Sequence, residues 1–215
     1  MIQNADQIQS ATIAARHSSD FRLLENADWE TAETVAIDHE WSGALAPRHR
    51  HARAQILWTT QSLLVRFVCN QSGPPLVNAN PQFHQKTIRL WDKDVCEIFL
   101  APDTHHAERY FEFEAAPTGE WVDLAIQVTG SGRETNWEYH SGITVETSMT
   151  ESEIVIAMRI PWSESLPEPQ AGDSWKLNLF RCVGTGNERY LAWRPTYTPQ
   201  PYFHVPKVFG RLDFL

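Results

Sequence analysis

Residues 91–100 read WDKDVCEIFL, a tryptophan and two aspartates followed by a short apolar segment. Successive side chains of a β-strand point to opposite faces of the sheet. We therefore expect one face to carry Cys96, Ile98 and Leu100 and the other to carry Val95, Glu97 and Phe99. An ionised carboxylate among apolar neighbours is costly unless it is paired. Glu97 is therefore either a structural core acid with a partner or an acceptor at the floor of a ligand cleft.

Short apolar segments separated by turns continue on both sides of this stretch. The predicted strands in the middle of the chain are Ala54–Thr60, Leu63–Asn70, Asp94–Leu100, Arg109–Ala115, Trp121–Val128 and Trp137–Thr147. Helical periodicity never lasts beyond about two turns. The regular spacing of strands predicts an all-β fold, a two-sheet antiparallel β-sandwich with short helical turns.

The chain has 215 residues, a length that suits one domain. Residues 1–20 are expected to form an irregular or partly helical N-terminal arm, and residues 21–215 the sandwich domain. The polar composition of residues 71–87 predicts a long loop. Loops of that length are often functional. No internal repeat or low-complexity linker divides the sequence.

The formal net charge of −9 argues against a nucleic-acid partner, because phosphates would be repelled. It suits a neutral or cationic ligand, or a bound cation such as calcium. No apolar span of about 18 residues occurs, so we expect no membrane helix.

The three cysteines, Cys69, Cys96 and Cys182, lie in apolar segments without a close CxxC spacing. We expect them to be buried free thiols, a state compatible with a reducing compartment. The N-terminus lacks the basic start and apolar stretch of a secretory signal. These features fit a cytoplasmic protein without fixing a location.

A second aromatic site candidate lies about a hundred residues after the first, where Trp193 follows the segment Tyr190-Leu191-Ala192. Two indoles with nearby hydrogen-bonding groups can hold a sugar, whose C–H faces pack on the rings. The chain contains nine tryptophans, and a tryptophan taken alone more often fills a core.

Other polar candidates allow two interpretations each. Glu112 and Glu114 share one strand face, which is most simply solvated, with calcium coordination as the alternative. Arg109 could contact a pair of sugar hydroxyls or be an edge-strand charge. The sequence contains no zinc-ligand spacing, phosphate loop or nucleophile motif, so no catalytic residue is predicted.

The chain resembles the family 9 carbohydrate-binding modules, within the wider DOMON-like sandwich group, over roughly residues 21–215. The segments that carry the resemblance are Ala27–Trp29, Leu90–Phe99, Tyr110–Glu114, Pro117–Gly119, Ile160–Ser163, Gly172–Arg181, Trp193–Thr196 and Phe203–Leu212.

The resemblance implies a sandwich that binds sugar ends between two tryptophan rings. Trp91 and Trp193 would form that clamp, Glu97 would bind hydroxyls, and Arg109 would fill the family's arginine role. Tyr190, which is also counted among the ligand-binding residues, stands where family members carry an amide residue, three positions before the second tryptophan. The family can also hold structural calcium, which acidic loops could supply here.

Together these features predict non-catalytic binding of a mono- or oligosaccharide end in carbohydrate catabolism, with Asp94 also satisfying hydroxyls. One alternative is a glycoside hydrolase that uses the carboxylates near Trp91 as acid and base. Another is haem binding through methionine and histidine, for which Met158 lies in a buried-looking strand. A clamp needs about 7–8 Å between parallel ring planes, from carbon contacts near 3.5–4 Å.

Overall fold

The computed structural model describes residues 11–215. Within that range the chain forms fourteen β-strands, named in chain order: β1 Thr12–His17, β2 Thr34–Ile37, β3 His39–Glu40, β4 Ala52–Trp58, β5 Ser62–Asn70, β6 Val95–Ala101, β7 Arg109–Ala115, β8 Trp121–Thr129, β9 Gly132–Asn136, β10 Thr144–Met149, β11 Glu153–Pro161, β12 Ser174–Cys182, β13 Tyr190–Ala192 and β14 Gly210–Phe214. Short 3-10 turns cover Ala27–Glu30, Arg48–Arg50, Leu90–Asp92, Asn187–Arg189 and Pro206–Val208.

The strands form one hydrogen-bonded path in the order β10-β11-β5-β4-β1-β14-β12-β6-β7-β8-β9. Strand β2 pairs with β4, and β13 pairs with both β12 and β3. Within the described range, the pairs are antiparallel except for those of β1, which runs parallel to both β14 and β4. Strand β1 therefore joins the two halves of the path.

The all-β prediction with short helical turns is confirmed. The description as two separate sheets is not confirmed, because β1 connects the halves into one curled path. The antiparallel prediction needs a correction at β1, whose partners lie far away in sequence.

Two local predictions were wrong. Residues 12–17 form β1 instead of an irregular arm, while residues 1–10 lie outside the described residues. Residues 137–143 interrupt the strand predicted over Trp137–Thr147, so that β9 ends at Asn136 and β10 begins at Thr144. The division of the chain at residue 20 stays a prediction.

Strand β6 separates two apolar clusters. Cys96, Ile98 and Leu100 belong to the main core, which both halves of the path share. Val95 and Phe99 belong to a second cluster on the opposite face of the same strands. The predicted alternation of β6 is thereby confirmed.

The cysteine prediction is confirmed, since Cys69, Cys96 and Cys182 are all buried and free. The sulfur atoms of Cys69 and Cys96 are 3.4 Å apart, which is contact without a bond. Across residues 11–215, none of the helices has the length and apolar character needed to cross a membrane.

A buried ion pair anchors the 71–87 loop to the sheet. The Lys86 ammonium lies 2.9 Å from Asp123 Oδ1, and both side chains are almost fully buried. Lys86 also donates to the carbonyl oxygens of Asp123, Trp137 and Tyr139. Asp123 Oδ2 accepts from the amide and hydroxyl of Ser141, at 2.6 and 2.7 Å. The pair therefore fixes the loop that follows β9.

Replacing Lys86 with methionine should destabilise the protein by roughly 3–5 kcal/mol, because the Asp123 carboxylate would stay buried without its counter-charge. Urea denaturation measures this as a lower midpoint at an unchanged slope. Arg22→Met is the control, since Arg22 pairs with Asp20 at the surface and surface pairs contribute little. Equal losses of unfolding free energy in the two variants would contradict the proposed contribution of the Lys86 interactions to stability.

Candidate ligand-binding cavity

A cavity of about 300 Å³ lies on the second face of β6, β7 and β8, away from the main core. Its floor carries the carboxyl groups of Glu97, Glu112 and Glu114. Its walls carry the aromatic rings of Trp91, Trp137, Tyr190, Tyr202 and Phe203, together with Arg133 and His204.

Strand register brings the three glutamates together. Glu112 and Glu114 are two residues apart on β7 and therefore share a face. Glu97 on β6 pairs directly with Glu114, and Phe99 pairs with Glu112. Each carboxylate places an oxygen within 4.8 Å of the other two, and all three side chains are buried.

The solvated face predicted for Glu112 and Glu114 was therefore wrong. The two residues do share a face, but segments distant in sequence cover it. Phe203 packs flat on Phe180, with ring centroids 4.0 Å apart, and Leu90 is fully buried on the same side. This cover leaves Glu112 and Glu114 buried.

The carboxyl groups of the floor accept few hydrogen bonds. The Cys182 thiol donates to Glu97 Oε1 at 3.2 Å. In the part of the chain that the structure describes, no donor reaches Glu112 Oε2 or either oxygen of Glu114 when these groups are ionised. Three acidic groups thus meet with little compensation from their surroundings.

This environment raises the pKa of all three carboxyl groups. Burial, followed by the charge of Glu112, raises the pKa of Glu97 to about 8, and the Cys182 hydrogen bond opposes part of that rise. Burial raises the pKa of Glu112, and burial with the charges of Glu97 and Glu112 raises that of Glu114 well above its usual range. At pH 7 the Glu97 carboxyl, with a pKa of about 8, therefore keeps its proton, and the other two carboxyl groups bind protons more readily than ordinary glutamates do.

His204 contributes a neutral ring to the cavity. Its Nδ1 lies 2.7 Å from the Tyr110 hydroxyl, a hydrogen-bond distance. The same atom is 3.9 Å from Glu112 Oε2, which is too far for a hydrogen bond. Burial, with a smaller contribution from Arg133, lowers the pKa of His204 to about 3, so the two groups do not form an ion pair.

Trp91 is positioned by a short turn. Arg89 takes a left-handed conformation with φ of 66° and its guanidinium pairs with Asp92 at 2.7 Å. Leu90 is fully buried under the turn, and the next side chain, Trp91, therefore reaches the cavity half-buried.

Trp137 reaches the same cavity from the loop after β9. Its carbonyl oxygen accepts from Lys86 Nζ at 3.1 Å, which ties this loop to the buried ion pair. The Trp91 and Trp137 ring centroids are 6.3 Å apart, and the planes are inclined by 42°. The two indoles therefore contact each other and form a bent aromatic platform.

Three of the six predicted binding residues, Trp91, Glu97 and Tyr190, line the cavity. Trp193 does not, because it packs against the main core. A Cβ atom at Gly210 would lie 2.5 Å from the Trp193 ring, which shows how closely the indole covers that glycine. Tyr190 and Trp193 are three residues apart along an extended segment, so they face opposite sides.

Asp94 and Arg109 also lie outside the cavity. Asp94 accepts from the backbone amides of Gly184 and Leu76, at 2.7 and 3.1 Å, and so fastens two loops. Arg109 is exposed at the start of β7 and borders a separate surface depression with Asp103. Neither residue lines the cavity that Trp91 lines.

Residues that sequence reasoning did not assign to the site include Glu112, Glu114, Arg133, Trp137 and Tyr202. The shared face of the two glutamates was a usable signal, but burial of that face was not evident locally. Trp137 was assigned to a strand, which concealed that it begins a loop.

Within residues 11–215, the cluster of three or more metal-ligating side chains lies on strands and not in the expected acidic loops. Its members are Glu97, Glu112 and Glu114. Calcium usually binds about six to eight oxygens. The remaining cavity wall is largely aromatic carbon, so these residues do not complete a calcium shell.

Three solved structures share the fold. A presumed carbohydrate-binding protein from Bacteroides uniformis has a TM-score of 0.71 and 18% identity, covering 95% of this chain and 99% of its own. A family 9 carbohydrate-binding module from Caldicellulosiruptor kristjanssonii, in complex with cellotriose, has a TM-score of 0.58 and 18% identity, with coverages of 95% and 93%. A family 9 module from the same organism in complex with glucose has a TM-score of 0.60 and 17% identity, with coverages of 95% and 96%.

No curated protein matches the chain significantly. The model of the carbohydrate family 9 binding domain-like family matches residues 24–214. That range includes the cavity, both of its aromatic walls and all three floor glutamates. The chain belongs to the carbohydrate family 9 binding domain-like family.

Proposed function

We propose that the protein binds carbohydrate without changing it chemically, holding a mono- or oligosaccharide end on the platform of Trp91 and Trp137. The observation that carries this proposal is the meeting of an aromatic platform and buried carboxyl groups in one cavity. Family membership supports the ligand class. The volume of about 300 Å³ is at the small end of ligand pockets and suits one or two sugar units.

The ring geometry favours a platform over a clamp. A sugar between two parallel rings needs about 7–8 Å between their planes. The Trp91 and Trp137 centroids are 6.3 Å apart and the planes are tilted, so a sugar ring does not fit between them. A sugar would instead pack one face on the two indoles. By analogy with base stacking, each ring contributes about 1–3 kcal/mol.

The floor supplies polar partners for such a sugar. A protonated carboxyl group both donates and accepts hydrogen bonds, whereas a carboxylate only accepts. Hydroxyl groups also donate and accept, so a protonated floor matches their chemistry. A role in carbohydrate catabolism, expected from the ligand class, forms part of this proposal.

Hydrolysis is the less favoured alternative. Glycosidases place two carboxyl groups on either side of the bond that is cleaved. Glu97, Glu112 and Glu114 project from the same face of two adjacent strands, where they form one floor. This arrangement suits binding better than acid–base attack from two sides.

Haem binding gains no support from the methionines that the structure describes. Met158 is fully buried in the main core, and Met149 is exposed on β10. Neither lines the cavity that contains His204. Met1 lies outside the described residues.

Trp137→Ala should weaken sugar binding by about 5- to 150-fold, the equivalent of roughly 1–3 kcal/mol of lost stacking. Trp137 is 43% exposed, so its replacement should leave the fold intact. Isothermal titration with glucose, xylose, cellobiose and xylobiose measures the change. Trp91→Ala should have a similar effect.

Phe83→Ala is the matched control, because Phe83 is 53% exposed and lies outside the cavity. Unchanged sugar affinity in both tryptophan variants would refute the platform. Reducing ends released from xylan or cello-oligosaccharides by the wild type, but not by Glu97→Gln, would establish hydrolysis instead.

The raised pKa of Glu97 predicts a pH dependence of folding stability. The native state keeps the proton up to about pH 8, whereas the ordinary value is 4.5. The folded protein binds more protons across that window, so the free energy of unfolding should fall as pH rises through it. The slope is at most about 1.4 kcal/mol per pH unit for one proton.

Denaturant unfolding at a series of pH values between 4.5 and 8.5 measures this dependence. Glu97→Gln should flatten the curve, because an amide does not ionise. A variant curve parallel to that of the wild type would show that Glu97 ionises without cost, and that the cavity floor is hydrated.

A further inference from the structure

We infer that the cavity selects a sugar unit that carries a protonated amine, whose ammonium group binds the floor formed by Glu97, Glu112 and Glu114. This inference rests on the proposed carbohydrate binding and adds the class of sugar. The ligand is either a free 2-amino sugar or the end of a chain of such sugars.

The floor has the acceptors that an ammonium requires. A protonated amine presents three N–H donors and no acceptor. Charge-assisted N–H···O bonds are about 2.8 Å long, so the three acceptors around a tetrahedral ammonium are about 4.6 Å apart. The floor oxygens lie within 4.8 Å of one another, one from each glutamate.

The buried oxygens of Glu112 and Glu114 point to a missing partner. Within residues 11–215, Glu112 Oε2 and both Glu114 oxygens lack a donor when these groups are ionised, and Glu114 is 0% exposed and lines the cavity. Leaving a buried acceptor unsatisfied costs about 1–3 kcal/mol, and more for a charged group. A ligand that donates to these atoms would remove that cost.

The net charge around the floor favours a bound cation. Three carboxyl groups face Arg133 across the cavity, while His204 is neutral and so adds no charge. Arg189 acts on Glu97 from outside the cavity lining, and its guanidinium donates to the Lys93 carbonyl oxygen. With all three glutamates ionised, the lining therefore carries two more negative than positive charges.

The remaining titratable groups near the floor do not supply a positive charge. The Cys182 thiol donates to Glu97, and burial raises the pKa of that thiol well above its usual range. Burial also raises the pKa of Tyr110, whose hydroxyl meets His204. An incoming ammonium would therefore replace protons on the glutamates and leave their neighbours unchanged.

The aromatic walls favour an organic cation over a metal ion. Cations are attracted to the faces of tryptophan and tyrosine rings, and Trp91, Trp137 and Tyr190 all line the cavity. The same rings provide the apolar surface that a sugar face needs. A metal ion would gain little from that carbon surface.

Isothermal titration of the full chain at pH 6.5 tests the inference, with glucosamine, glucose, N-acetylglucosamine, calcium chloride and tetramethylammonium as probes. Glucosamine should bind at least about tenfold tighter than glucose. N-acetylglucosamine, whose nitrogen is uncharged, should lose that advantage. Glucosamine binding should release protons, seen as an enthalpy that depends on the ionisation enthalpy of the buffer.

Glu114→Gln should reduce the glucosamine affinity by more than tenfold, and by a larger factor than it reduces the glucose affinity. Glu134→Gln is the matched control, because Glu134 is exposed on β9 and does not line the cavity. Should Glu114→Gln fail to fold, the comparison of the three sugars on the wild type still decides the question.

Equal affinities for glucosamine and glucose would overturn the inference and leave carbohydrate binding in place. Equal affinities for glucosamine and N-acetylglucosamine would also overturn it, because charge would not be the cause. Binding of tetramethylammonium or calcium without binding of any sugar would overturn both this inference and the proposed function. Absence of binding of every probe to the wild-type protein would likewise overturn both this inference and the proposed function.

Discussion

Strand β6 hydrogen-bonds to β7 on one side and to β12 on the other, and all of its side chains are buried. One face fills the main core, so the other face also needs a cover. Leu90 and Phe203, from segments on either side in the sequence, supply part of that cover. The cover is incomplete above Glu97, and the space that remains is the cavity.

The floor of the cavity is an energetic exception within a well-paired protein. Elsewhere, buried charges have partners, as Lys86 and Asp123 do. Glu112 and Glu114 instead lose hydration and gain little in return, which raises their pKa values. Proteins tend to break local rules at functional sites, where stability elsewhere compensates. A ligand that donates hydrogen bonds to these oxygens would remove the cost of their burial. That relief would add to the free energy of binding.

The sequence pattern predicted much of this region correctly, and the errors have physical causes. Strand period placed Glu97 among apolar neighbours and put Glu112 and Glu114 on a common face. It did not show that this face is covered, because the cover comes from about ninety residues further along the chain. Trp193 was chosen for its neighbours in sequence, but its position three residues after Tyr190 places it on the opposite face.

The amino-acid sequence by itself determined the all-β class, most strand positions, the resemblance to the family and the expected ligand class. The class and the strand positions depend on side-chain period and turn residues, which act between near neighbours, and the ligand class followed from the resemblance and the tryptophans. Only the tertiary structure decided that β1 joins the two halves, that Trp137 accompanies Trp91, and that the three floor glutamates converge. Those outcomes depend on strand register and on contacts such as that between Lys86 and the Trp137 carbonyl, which join residues far apart in the chain.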